Sequence, residues 1–166
     1  MESFSAETLA LCTALAQALR QQGKYMATAE SCTGGLIAGA CTSLSGSSDW
    51  FERGFVTYSN AAKTDMLGVP PEVIAQHGAV SEATVLAMAR GALAHSRAHC
   101  ALAVTGVAGP LGGSAEKPVG TVWLAWALVD DGGVRAECSV QLFPGDRQAV
   151  RHATVNAALA GLLQRI

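Results

Sequence analysis

The chain has 166 residues, half of them hydrophobic and only 14% charged, with a formal net charge of -2. That length and apolar content suit one domain, residues 1–166, with a core of its own, and exclude a disordered chain, which needs low hydrophobicity and high charge. No run of Lys and Arg is present, so nucleic-acid binding has little electrostatic support.

The five cysteines, Cys12, Cys32, Cys41, Cys100 and Cys138, include no Cys-x-x-Cys pair. An odd count of this kind builds neither a disulfide framework nor a zinc site and reads as buried thiols. The start, Met1-Glu2-Ser3, lacks the basic and apolar regions of a leader. The longest apolar run, around 119–129, falls short of the ~20 residues of a membrane span. A cytoplasmic location, with no membrane partner, is the expectation.

In chain order, Leu9, Cys12, Leu15, Ala16 and Leu19 recur at helical spacing, and Gly23 stops that helix. Residues 24–29 read as a strand and 33–43 as a second helix with Leu36, Ile37 and Ala40 on one face. A Ser- and Gly-rich turn over 43–49 leads to a strand at 51–58. Asn60 is the expected N-cap of a short helix ending near Gly68. Pro70-Pro71 opens another helical turn, closed by Gly78, and Ser81 caps a helix through about 94. Residues 100–104 form a compact apolar run, a buried strand. A loop rich in Gly and Pro fills 106–120. Strands at 121–129 and 134–142 flank Asp131-Gly132-Gly133, a hairpin signal. Asp146 caps a last helix reaching Leu163. Strands alternating with helices, plus one antiparallel pair, predict an α/β fold: a mixed sheet between helices on both faces, in three α/β/α layers.

Ser31 falls where a strand turns toward a helix, followed by Cys32-Thr33-Gly34-Gly35. Free helix N–H groups there can hold an anion or an oxyanion; equally, Ser31 or Thr33 can be a simple cap. The two glycines, costly at a helix start, suggest close approach of the backbone to a ligand. Lys63, at the third position of its helix if Asn60 is the cap, opposes the helix dipole. With burial it becomes a neutral base for a serine hydroxyl; the alternative is a solvated lysine. Tyr58 can relay a proton or orient Lys63, or simply pack. The loop from Thr105 to Gly113 follows a buried strand, where ligands bind in open α/β sheets, or is a plain surface loop. It matches neither the dinucleotide nor the Walker pattern. Arg147 and Arg151, at i and i+4 of the last helix, can clamp a phosphate with its N–H groups or face solvent. No Gly-x-Ser-x-Gly elbow or zincin spacing is present, and Ser114-x-x-Lys117 lies in a loop without the partners that motif needs.

The segments 28–35 (Thr-Ala-Glu-Ser-Cys-Thr-Gly-Gly), 54–63, 77–81, 105–113, 117–122 and 143–147 together resemble, in order, the nicotinamide-nucleotide amidase family, the C-terminal domain of the competence- and damage-inducible CinA proteins. The resemblance spans nearly the whole chain. It implies hydrolysis of nicotinamide mononucleotide to nicotinic acid mononucleotide and ammonia, with no metal and no organic cofactor. It implies Ser31 as nucleophile, activated by Lys63 and Tyr58. The substrate site is expected at Glu30, Thr33, Gly34, Thr105, Gly106, Gly109 and Arg147, with Arg147 on the 5′-phosphate. The partner is thus a small nucleotide. The apolar composition makes a homo-oligomer the expectation. A non-catalytic nucleotide-binding regulatory module is the alternative that the glycine loop and helix ends also suit.

Overall fold

The computed structural model describes residues 3–166; Met1 and Glu2, read above for a leader, lie outside them. Among the described residues, six α-helices and five strands follow in the order α1 Ala6–Gln22, β1 Met26–Glu30, α2 Leu36–Thr42, β2 Phe51–Val56, α3 Asn60–Leu67, α4 Pro71–His77, α5 Glu82–Ala94, β3 Cys100–Gly106, β4 Thr121–Asp130, β5 Gly133–Leu142 and α6 Arg147–Leu163. The sheet order is β2-β1-β3-β4-β5. The β2, β1 and β3 strands run parallel, and β3, β4 and β5 antiparallel.

Alternation along the strands sorts side chains onto two unlike faces. Met26, Cys100, Leu102, Val104, Leu124 and Trp126 face α1, α2 and α6. Ala27, Ala29, Ala101, Ala103, Ala125 and Ala127 face the layer of α3, α4 and α5, where Leu67, Val85, Met88 and Ala92 fill the space the small residues leave. The result is the expected mixed sheet between two helical layers. On the first face, the Trp126 indole N–H donates to Ala158 O at 2.9 Å, so its polar edge is satisfied inside the core.

Caps bound the helices as their residues dictate. Ser81 and Asp146 accept N–H bonds from Thr84 and Ala149, and Gly23 closes α1 at φ 62°. Two boundaries differ from the sequence expectation. The second helix begins at Leu36, not at 33, because Gly34 and Gly35 take left-handed φ of 58° and 101°. Those glycines serve a turn, which explains them without a ligand. The cap of α3 is Ser59, extended at φ -92° with its hydroxyl accepting from Ala62 N–H, and Asn60 is the first helical residue. Lys63 therefore lies one position deeper in the helix, where the dipole acts on it less than expected.

Candidate active site

Ser31 follows the last residue of β1, at the carboxyl ends of the parallel strands. Its N–H is spent on Val104 O (3.1 Å), which extends the β1–β3 ladder one residue, and its carbonyl accepts from Gly34 N–H (3.0 Å). The chain then turns away and leaves the hydroxyl over the sheet's edge. Lys63 comes up from α3 beneath it. Its Nζ lies 3.1 Å from Ser31 Oγ and donates to Thr57 O at 2.9 Å. Lys63 is only 1% exposed, and Ser31 8%. Among the described residues no carboxylate pairs with the amine, so burial, which disfavours the ammonium, holds its pKa below the ordinary 10.5. A neutral amine that gives one hydrogen to Thr57 O keeps its lone pair for the serine proton. The neighbouring Cys32 thiol is pushed up to about 11, chiefly by burial, so it stays protonated and competes poorly as a nucleophile.

Above this pair opens a cavity of about 280 Å³, lined by Ser31, Cys32, Tyr58, Asn60, Lys63, residues 105–109 and Arg147. That is near the lower bound of about 300 Å³ for small-molecule pockets. Thr105 is buried and donates to Ala79 O at 2.9 Å, tying the loop before α5 to the end of β3. Val107 N–H bonds Thr121 O, and Gly120 N–H bonds Val107 O. Val107 thus turns both polar groups to β4, and the N–H of Gly106, by alternation, points the other way, to the β1 side where β1 has ended. Gly106 lacks a side chain for a packing reason, since a Cβ there would meet Thr121 O at 2.8 Å.

Arg147, the first residue of α6, forms the rim. It donates through Nη1 to Gly109 O and through Nη2 to the Tyr58 hydroxyl, both at 2.9 Å. Tyr58 is 61% exposed. The structure brings it to Arg147, while Lys63 takes Thr57 O and Ser31 as its partners. Ser31, Lys63, Thr105, Gly106, Gly109, Tyr58 and Arg147 therefore meet around one cavity.

Glu30, Thr33 and Gly34 do not line it. The Glu30 carboxylate is fully buried and accepts from Thr33 Oγ1 (2.6 Å), Ile37 N–H (2.9 Å) and Ala38 N–H (3.0 Å). Helix α2 begins with donors it cannot satisfy itself, and the carboxylate fills them. The helix N–H groups of Ile37 and Ala38 are thus already taken and are not open to a bound anion. Gly34 lies exposed on the outer side of the turn. Asn60 lines the cavity although the sequence marked it only as a cap. Among the described residues, no three His, Cys, Asp or Glu side chains are grouped so as to hold a metal ion, and no helix is long and apolar enough to cross a membrane.

A family model described as the CinA C-terminal domain matches residues 8–166. The chain belongs to this family. The chain is 53% identical over 160 residues to the nicotinamide-nucleotide amidohydrolase PncC of Escherichia coli strain K12, covering 96% of this chain and 94% of that protein. It is 58% identical over 154 residues to the protein of the same name from Pseudomonas putida, covering 93% and 94%. It matches only 34% of the length of a CinA-like protein of Akkermansia muciniphila, at 57% identity over 87% of this chain. Among solved structures, the competence/damage inducible protein CihA from Agrobacterium tumefaciens superposes with a TM-score of 0.91 at 48% identity, over 99% of this chain and 98% of that one. A CinA superfamily protein from Escherichia coli gives 0.90 at 36% identity, over 100% and 95%. The fold of this CinA domain is thus shared across its length with crystallographically known members.

Proposed function

We propose that this CinA-family domain hydrolyses nicotinamide mononucleotide to nicotinic acid mononucleotide and ammonia through an acyl-enzyme on Ser31. The observation that carries the reading is the buried Lys63 amine, 3.1 Å from Ser31 Oγ at the floor of the cavity. The names of the relatives from Escherichia coli and Pseudomonas putida support the substrate.

The neutral Lys63 amine takes the Ser31 proton as Oγ attacks the carboxamide carbon. The negative charge that develops on the carboxamide oxygen meets the N–H of Gly106 and that of Cys32; one such preorganised donor is worth roughly 3–4 kcal/mol in known hydrolases. As the carbon–nitrogen bond breaks, the Lys63 ammonium returns its proton to the leaving nitrogen, and ammonia departs. Water then attacks the ester carbonyl, Lys63 accepts its proton, and Ser31 leaves as the free hydroxyl once reprotonated. Arg147 on the rim receives the 5′-phosphate, and Tyr58 holds its guanidinium in place.

The test is direct. Purified protein incubated with nicotinamide mononucleotide should release ammonia and nicotinic acid mononucleotide in equal amounts, and Ser31→Ala should reduce both to background while nucleotide binding persists. Nucleotide binding with no ammonia from the parent protein would instead make the domain a non-catalytic nucleotide-binding module.

A further inference from the structure

Arg151 lies one helical turn beyond Arg147 on α6, yet its guanidinium goes elsewhere. Nε donates to Cys32 O at 3.2 Å, and Nη2 donates to Thr33 O at 3.1 Å. Both acceptors are main-chain carbonyls of the turn that follows the serine. Arg151 is half-buried and does not line the cavity that holds Ser31 and Lys63. From this geometry we infer that Arg151 is a positioning residue for the hydrolysis, holding the turn so that the Cys32 N–H faces the reacting carbonyl. The inference rests on the serine acyl-enzyme reading above.

The link runs through rigid peptide planes. In a trans peptide, the C=O of one residue and the N–H of the next point in opposite directions within one plane. Arg151 fixes the Thr33 carbonyl, and so fixes the Gly34 N–H. That N–H donates to Ser31 O at 3.0 Å. The Ser31 carbonyl shares its plane with the Cys32 N–H, which is thereby turned the opposite way. Two planes thus carry the position of a guanidinium on α6 to a donor beside the nucleophile. Gly34, which closes the turn, has no side chain to hold it, and its left-handed φ of 58° leaves its conformation dependent on neighbours. Glu30 grips the same turn from the core side through Thr33 Oγ1. Arg151 is the second grip, from the outside.

The test uses full-length protein with nicotinamide mononucleotide as the probe. Arg151→Ala should lower kcat by about 30- to 100-fold, the scale of misplacing a reacting group by about 1 Å, with KM changed by less than about threefold. Ethylguanidinium in the assay should restore part of that kcat, and ethylammonium should not, because only the planar fork reaches both carbonyls. Arg151→Lys keeps the charge and serves if the alanine variant folds poorly; it should still lose about tenfold in kcat, since an ammonium cannot reproduce the bidentate fork. A kcat within about threefold of the parent in both variants would overturn the inference. So would a rise in KM alone, which marks a phosphate contact, or a lost kcat that ethylguanidinium leaves unchanged. An active Ser31→Ala would remove the serine reading itself, whereas an inactive Ser31→Ala beside an undiminished Arg151→Ala would remove only the role of Arg151.

Discussion

Replacing Glu30 by Ala separates a structural carboxylate from a substrate-binding one. The wild-type side chain is fully buried and accepts three hydrogen bonds, from the Thr33 hydroxyl and from the N–H groups of Ile37 and Ala38. Deleting it strands three donors at the start of α2, and each buried donor left unmade costs about 1–3 kcal/mol. The N–H of Ala38 is nearer the surface, where that residue is half-buried, and relaxes toward water. The removed charge also no longer has to be kept from solvent. The net loss is therefore about 3–5 kcal/mol, the scale of breaking one side of a buried charged network. For a chain of this size that corresponds to a fall in Tm of roughly 6–20 °C, at about 2–4 °C per kcal/mol. Urea unfolding followed by circular dichroism reads the loss, and nucleotide kinetics below the transition read the site. The capping role predicts a large drop in stability with KM for nicotinamide mononucleotide little changed. A stability loss under about 1 kcal/mol, the worth of one ordinary hydrogen bond, together with a raised KM, would refute it and return Glu30 to the substrate.

Lys63→Met should lower kcat by about 10²–10⁴, the usual worth of a positioned general base, with ammonia release as the readout. The same burial makes the amine a burden on folding. Its folded pKa lies below the unfolded value, so the unfolded chain binds more protons in between, and stability rises with pH over the interval from the folded pKa up to about 10.5. Lys63→Met should abolish that rise in urea titrations at several pH values, and the same rise in the variant would show that another group causes it. Arg147→Ala should raise KM for the mononucleotide by about 10- to 100-fold, the worth of a charge-assisted hydrogen bond of about 1.5–3 kcal/mol, and change KM for the phosphate-free riboside little; equal effects on both would remove the phosphate contact. Gly161→Ala should destabilise the fold by about 1–3 kcal/mol through overpacking, because the new methyl would overlap the Trp126 ring across the α6–β4 contact. An unchanged Tm would show that the ring has room to move.

Much of the fold was legible because local chemistry and tertiary packing agree. The Asp131-Gly132-Gly133 hairpin, the caps at Ser81 and Asp146, and the stop at Gly23 each rest on a backbone requirement that few residues meet. The start of α2 was misplaced because a Gly-Gly pair reads the same whether it opens a helix or precedes one, and only the left-handed φ values distinguish the two. Ser59 rather than Asn60 caps α3 because both side chains can do so, and the path of the chain out of β2 decides between them. The site was legible only in part. Ser31 and Lys63 are 32 residues apart, and no local spacing announces their meeting; the parallel pairing of β1 with β2 brings them together. Tyr58 and Arg147 were each legible as polar groups near a ligand, but their mutual bond spans 89 residues. Glu30 adjoins Ser31 in sequence, yet successive residues of an extended chain point to opposite sides, and Glu30 points into the fold.

The central claim is that Lys63 is uncharged when it meets Ser31, and the titration of its amine tests this most directly. In NMR spectra of protein labelled at the lysine Cε and Nζ, the Lys63 signal, assigned by its loss in Lys63→Met, should titrate below the ordinary lysine value of 10.5. Its pKa should coincide with the rising limb of kcat/KM against pH for ammonia release. A Lys63 signal that titrates at the ordinary lysine value, while kcat/KM rises at some lower pH, would place the base on another group and contradict the account.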